Sequence, residues 1–473
     1  MTESALGALR AAYSGLQAAQ AGMDIVGQNI DNANTVGYVR QSVSQQSVGQ
    51  PGRVGSDANG PRSGQGVVVA AIVQSGSSLL DAQVRSTAAD AAYSSVRSGA
   101  LDQVQTILGE PSGDAISGRL QTFWNAWQSV ANRPGSSAPV GALLGQAATL
   151  ASTIGTAYKA LQSQWSQTSG QLATTVSQLN ADIARIADLN GQIRTAIAAG
   201  GNANELIDQR NVAAQGFAKL VGGRVDIAGD NTVSVSIGGI AVVQGTSFEQ
   251  VRISGGTQLE AAGESPVRLV LASDPSGPGL TPSTGEIAGL VSLLGAAGTG
   301  GAIAETAAHL NQLATGLATR VNAISRTGVS STGATGLDFF AIGASPALSL
   351  SVIPADPSGV ATGAVGAGNL DGAVADKISQ IGNTAASPDA TWSASVVQLG
   401  TRANLEASQA SLDSAALTSA TTAQQSLESV DLDEENLNLL SYQHAYQGAS
   451  RVMSALDEVL DQLINHTGHV GIA

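Results

Sequence analysis

The chain has 473 residues, of which 43 % are hydrophobic but only 3 % aromatic and 12 % charged, and its net charge is −15. An acidic chain without a Lys/Arg cluster repels phosphate backbones and anionic lipid, so neither nucleic acid nor a membrane is an expected partner. Cysteine is absent, which removes disulfides, thiolate metal sites and thiol nucleophiles.

The length leaves room for two to four domains. Ala, Gly, Ser, Thr, Gln and Leu dominate, a composition suited to long helices with small, closely packing interfaces. Hydrophobicity is too high and charge too sparse for a disordered chain, and no run of about 20 apolar residues offers a membrane span. The opening residues, Met-Thr-Glu-Ser-Ala-Leu, lack a basic segment followed by an apolar run, so no cleaved secretory signal is expected.

In chain order, the first predicted element is a helix striped by Leu6, Leu9, Tyr13, Leu16, Met23, Val26 and Ile30. Its gaps of three and four, with Gln20 at one seam position, suit coiled-coil packing. Leu172, Val176, Leu179, Ile183, Ile186 and Ile193 mark a long second helix. Residues 216–282 change character. Runs at 224–228, 232–237 and 240–243 alternate apolar and polar residues, and Gly238-Gly239 joins two of them as a primed hairpin turn requires. Residues 267–271 are a further strand candidate, and a cluster of Pro and Gly up to Pro282 closes the segment.

Ile303, Ala307, Leu310, Leu317, Val321 and Ile324 then define another helix. A weak strand is expected at 348–353 and loop over the Gly-rich stretch 359–372. A loosely patterned helix follows from about 396 to 427. The last helix has the cleanest stripe: Leu439, Tyr442, Tyr446, Ala449, Met453, Leu456, Leu460 and Leu463. Asp431 followed by Glu434 marks its start, with a side-chain acceptor at the cap and a carboxylate in the first turn.

The expected fold is mainly α with a β-rich insert, an elongated multidomain chain with paired terminal helices, a helical bundle and a small outer β domain. The expected division is residues 1–75 with 430–473 as a terminal helical domain, 76–215 with 283–429 as the bundle, and 216–282 as the inserted β domain.

Two motifs at opposite ends sharpen this reading. Residues 29–40, Asn-Ile-Asp-Asn-Ala-Asn-Thr-Val-Gly-Tyr-Val-Arg, resemble the N-terminal signature of flagellar rod, hook and hook-associated axial proteins. Asn32, Asn34, Thr35, Gly37, Tyr38 and Arg40 are the positions that carry it. Residues 430–435 and 442–447 resemble the C-terminal signature of the same proteins. In the middle, residues 205–210 (Glu-Leu-Ile-Asp-Gln-Arg) and 336–343 (Gly-Leu-Asp-Phe-Phe-Ala-Ile-Gly) resemble the hook-associated protein 1 family rather than hook proteins. Residues 242–245 and 285–290 are weaker matches in the expected order. Glu428-Ser429 and the tail from Gly468 depart from the family pattern.

The resemblance implies a hollow axial structure with the terminal helices lining its inner tube, the bundle in a middle layer and the β domain outside. It implies a ring of copies of this chain, with hook protein on one side and hook-associated protein 3 on the other. Type III export, aided by a cytoplasmic flagellar chaperone, is implied as well, which places the chain outside the cell on the flagellum. The alternatives are another axial protein, such as the hook protein, or a secreted surface adhesin.

Each motif also has a plainer reading. A stripe such as 439–463 equally suits an ordinary core helix, but a helix pair alone has too few elements for a domain core. Residues 32–40 are at minimum a turn, with Gly37 freeing the backbone as it leaves the helix. The acidic run at 431–435 lacks the Gly and distant Glu of a calcium loop and reads as a helix cap. His466 and His469 have no further ligand nearby. The Gly string at 363–368 lacks the strand and Lys-Ser/Thr of a phosphate cradle. Trp124, Trp127, Tyr158 and Trp165 read as wedges between bundle helices. No catalytic, cofactor-binding or metal site is expected, and the chain is not expected to be an enzyme.

Overall fold

The computed structural model describes residues 2–48, 66–368 and 370–465, and the side chains of 2–6 and 463–465 lie outside that description. The side chains of Leu6 and Leu463 in the two stripes, the His466/His469 pair and the tail from Gly468 therefore fall outside the description.

The chain opens with helix α1 (Thr2–Asp31), followed by the hairpin β1 (Gln41–Ser47) and β2 (Val67–Gln74). The sequence marks no element over residues 41–74, within a stretch expected to belong to a helical domain, and the hairpin is found there. Next come α2 (Ser78–Leu108), α3 (Ile116–Asn132), the 62-residue α4 (Ser137–Ala198) and α5 (Asn204–Val221). Six short strands follow, β3 (Arg224–Ile227), β4 (Val233–Ile237), β5 (Ile240–Gln244), β6 (Ser247–Phe248), β7 (Val251–Ser254) and β8 (Arg268–Leu271). After them lie α6 (Glu286–Leu293) and α7 (Ala302–Ser325), then β9 (Gly328–Ser330), β10 (Phe340–Ala341), α8 (Pro346–Ser349), β11 (Ser351–Val352) and β12 (Ala361–Ala364). The chain returns to helix with α9 (Ala373–Ser379), α10 (Pro388–Glu428) and α11 (Leu432–Asn465). The fold is mainly α, elongated, with small sheets, as expected.

The antiparallel sheet β3-β4-β5-β6 turns at Gly238 and Gly239, whose φ angles of 56° and 85° are those of a primed turn. Two local expectations need correction. The stretch 359–372 is not all loop: β12 lies within it and pairs with β9. The region 348–353 begins on α8, and only Ser351 and Val352 pair, with β10.

α4 is the spine. Along its first half Leu143, Leu150, Ile154 and Leu161 are buried on a face packed against α3. Along its second half Leu179, Ile183, Ile186 and Ile193 face α5 and the strands, and one continuous apolar core runs through both halves. Two asparagines interrupt this stripe and clamp the strands to the helix. Asn180 exchanges hydrogen bonds with the backbone of Val251 at 2.8 and 2.9 Å, and Asn190 accepts from Val233 N–H and donates to the carbonyls of Val233 and Gly245. Each supplies backbone partners that a strand edge against a helix would otherwise lack.

At the α3 end, Phe123, Trp127, Phe339 and Phe340 form an aromatic cluster with ring centroids 4.9–6.3 Å apart. The motif at 336–343 is thereby explained as a core plug. Asn322 of α7 accepts from the N–H groups of both Phe339 and Phe340 at 2.9 Å, and Arg326 clasps Asp338 with two hydrogen bonds.

Candidate functional site: the joint between the terminal helices and the body

α1 and α11 pair antiparallel. Gly15 faces Ala449, the ring of Tyr442 lies against Gly22, and Asn29 reaches Glu435. At Gly22 a Cβ would overlap the Tyr442 ring, so only glycine lets the helices approach this closely. The buried face of α1 is built from Ala12, Ala18, Ala19, Ile25, Val26 and Asn29. Leu9, Leu16, Met23 and Ile30 are half-buried beside it, and Tyr13 is 53 % exposed. On α11 the half-buried residues Leu439, Tyr442, Met453, Leu456 and Leu460 follow the predicted stripe, while Tyr446 stands exposed. Of the described stripe residues on α1, Val26 alone is fully buried.

The cap expected at Asp431 is present: its Oδ1 accepts from the N–H groups of Asp433 and Glu434 at 2.9 and 3.2 Å. The next carboxylate has a different task. Glu435 is 1 % exposed, and its Oε2 accepts from Asn29 while its Oε1 accepts from Nε of Arg40 at 2.7 Å. Arg40 also donates from Nη2 to Glu434 at 2.7 Å, and its backbone N–H donates to the carbonyl of Glu428. Burial opposes the charge on Arg40, but the two carboxylates outweigh it and hold the guanidinium above its ordinary value.

Asn29 is the hub. Its Oδ1 accepts from the Tyr38 hydroxyl and from Gln41 N–H, and its Nδ2 donates to Gln41 O as well as to Glu435. The signature at 29–40 and that at 430–435 thus meet in one buried polar network. Asn32 and Thr35 shape the intervening turn: the Thr35 hydroxyl donates to Asn32 Oδ1, and Asn32 Nδ2 donates to Gln28 O. Asn34 is exposed. Gly37 has φ +80°, and a Cβ there would collide with Val212 of α5. Both the backbone conformation and the close approach require glycine.

The third motif joins the same place. Asp208 of α5 is buried, accepting from Val39 N–H at 3.3 Å and from Gln74 Nε2 at 2.6 Å. Burial pushes its carboxyl up to about 6, against the lowering pull of those two donors. Burial, and then the Asp208 carboxylate, push Tyr38 up to about 12. Asn204 donates to Gln41 Oε1 at 2.9 Å. On the other side, Glu428 at the end of α10 accepts from Ser77 N–H, and Gln424 donates to Asp81 at 2.7 Å. Burial, then the neighbouring Asp81, push Glu428 up to about 7. Asn29, Asp208 and Glu428 form the part of this joint that spacing alone does not disclose. The signal at Asn29 is a polar residue on an otherwise apolar helix face.

What the site can do is mechanical. It ties the terminal pair, the β1–β2 hairpin, α2, α5 and the α10–α11 link together through hydrogen bonds with few alternatives. Among the described residues no group of three or more His, Asp or Glu is placed to hold a metal ion, and no helix is long and apolar enough to cross a membrane.

Comparison with known proteins agrees with this geometry. The flagellar hook-associated protein FlgK helical domain matches residues 101–340. The flagella basal body rod protein family matches residues 9–38, and the C-terminal family of basal body rod FlgEFG proteins matches 423–466. The chain is 28 % identical to flagellar hook-associated protein 1 of Bacillus subtilis over 99 % of each chain. It is also 28 % identical to the protein of that name from Salmonella typhimurium, over 70 % of this chain and 59 % of that one. The structure of the flagellar hook junction protein FlgK from Burkholderia pseudomallei superposes with a TM-score of 0.64 at 16 % identity, covering 73 % of this chain and all of the other, which is a likeness of fold. With the helical-domain match spanning just over half of its length, the chain belongs to the flagellar hook-associated protein FlgK family.

Proposed function

We propose that this chain is a structural subunit of the bacterial flagellum that polymerises at the hook–filament junction and connects hook to filament. The observation that carries the reading is the joint itself. The two terminal signatures close on each other through Arg40, Asn29 and Glu435, and so fix the angle at which a paired helical stalk leaves the body. A subunit whose work is to hold a lattice needs such a fixed angle; its chemistry is packing.

The partners proposed are further copies of the chain in a ring, hook protein on one side and hook-associated protein 3 on the other. The terminal pair, residues 1–75 with 430–473, would line the inner tube. The α2–α10 body would form the middle layer, with residues 216–282 outside. Leu9, Leu16, Met23 and Ile30 of α1, and Leu439, Tyr442, Met453, Leu456 and Leu460 of α11, are only half-buried within one chain. Their remaining surface is what neighbouring stalks would cover. Export through the flagellar type III apparatus with a cytoplasmic chaperone completes the proposal, and it suits a stalk that rests on its own two helices. Deleting the gene tests the reading. Complete hooks with filament protein released into the medium are expected, and normal filaments on the deletion strain would overturn it.

A further inference from the structure

α10 turns all its charge towards the body. Its charged residues are Asp389, Arg402, Glu406, Asp413 and Glu428, and none of them is exposed. Each meets a group of the body: Asp389 accepts from the Trp124 indole, Arg402 donates to Glu305 at 2.9 Å, Glu406 pairs with Arg97, Asp413 faces Asp90, and Glu428 accepts from Ser77. Val396 and Leu399 pack inward with them against the core, but other large aliphatic side chains point the other way. Val397, Leu405 and Leu412 are 65, 67 and 65 % exposed, and Leu427 continues the row. The positions between them on that face are Thr401, Ser408, Ala416, Ser419 and Ala423, all exposed and none charged. An ordinary surface helix shows the opposite arrangement. An uncharged surface row studded with exposed large aliphatic residues marks an interaction surface.

We propose that this outward face of α10 is the lateral docking surface for a second copy of the same chain, an inference that rests on the junction reading above. Charge selects the occupant. A copy brings its own −15, so a face that presents no charge is where it meets the least repulsion. The outer face of α10 meets that condition along its whole length. Continuity selects it again, because α10 passes through a short link into α11, whose Leu437, Leu440, Val452 and Val459 are exposed in the same way. Size is the third argument. A helix of 41 residues is about 60 Å long and about 10 Å wide. It would bury about 600 Å² on each partner, below the roughly 800 Å² of a stable complex. Contact through α10 alone therefore leaves dilute chains monomeric and takes hold when the stalks already stand side by side. Copies related by rotation then close a ring through a heterologous contact.

The chain has no cysteine, so Leu412→Cys carries a single photoreactive benzophenone maleimide. The full-length variant is assembled on cells, located by gold labelling, irradiated and analysed by mass spectrometry. A covalent product of two copies from chains at the junction is the expected result. Chains at the junction that cross-link to another protein, or to nothing, overturn this inference and leave the junction reading standing. Absence of the unlabelled parental chain from the junction overturns both. A second variant separates docking from folding: Leu405→Asp with Leu412→Asp should leave the monomer's melting midpoint within about 2 °C. Its incorporation should fall about tenfold or more, the effect of charge in a contact worth about one factor of ten. Incorporation at the parental level would contradict the assignment.

Discussion

The Arg40 guanidinium reaches across 395 residues of chain to donate to Glu435 at 2.7 Å, and Asn29 donates to the other oxygen of the same carboxylate. The first and last helices are thereby locked to one carboxylate that has almost no contact with water. Removing one partner of a fully buried pair costs about 3–5 kcal/mol; Arg40 keeps partial exposure, so Arg40→Ala should cost about 1–3 kcal/mol. Glu435→Gln, which retains an acceptor for Asn29, should cost less than Glu435→Ala. Chemical denaturation with a probe on α11 measures both, and equal effects of Gln and Ala would show that Asn29 is indifferent to the group.

Gly37 offers a separable test, because two causes coincide there. Its positive φ makes Gly37→Ala cost about 1 kcal/mol or more, and the collision with Val212 adds to that. In the double variant with Val212→Ala the steric part should be relieved and the backbone part should remain. The two changes should therefore be non-additive by about 0.5 kcal/mol or more, as contacting residues are. Strict additivity in a double-mutant cycle would show that the turn moves away from α5.

Glu428 makes the joint sensitive to pH. Its folded pKa, near 7, lies above its ordinary value, so the folded state holds a proton that the unfolded state releases. The stabilisation is complete below the ordinary carboxylate range and is lost as pH rises towards 7. Asp208, raised to about 6, acts in the same direction over a lower window. Glu428→Gln should remove most of the upper part of this dependence. At pH 8 it should stabilise by about 1 kcal/mol once partial exposure is discounted. Melting midpoints between pH 5 and 8 give the comparison, and parallel curves for the two proteins would contradict it.

Much of the helical framework was legible in the residues, and the omissions have physical causes. α7 and the second half of α4 announce themselves because leucine, isoleucine and valine mark their buried faces, α11 does so by its regular half-buried stripe, and Gly238-Gly239 announces its hairpin because few other pairs accept both φ angles. α2 is hidden for the reason that makes α10 informative. The two helices face each other through Asp81, Asp90, Arg97, Gln424, Asp413 and Glu406 as well as Leu101 and Ala403, so charge interrupts the apolar stripe on each. β1 is rich in Ser and Gln and finds its place only by pairing with β2. The joint was visible as motifs and invisible as a network, since spacing cannot bring Asn29, Glu435 and Asp208 together from three distant segments.

The terminal pair lies outside the continuous core of the body and should open at lower free energy than α4. Hydrogen exchange on purified chain should show α1 and α11 exchanging faster than residues 143–193 and becoming protected on assembly. Leu456→Asp should leave the body's melting unchanged and abolish incorporation. Equal protection of α1, α11 and α4 in the dilute chain would refute the picture of a stalk completed by its neighbours.

The central claim is a place in the flagellum, and gold labelling of an epitope-tagged full-length chain on intact cells tests it most directly. The account predicts a single narrow band where the hook ends and the filament begins. Label along the whole hook, along the filament or over the cell surface would contradict it.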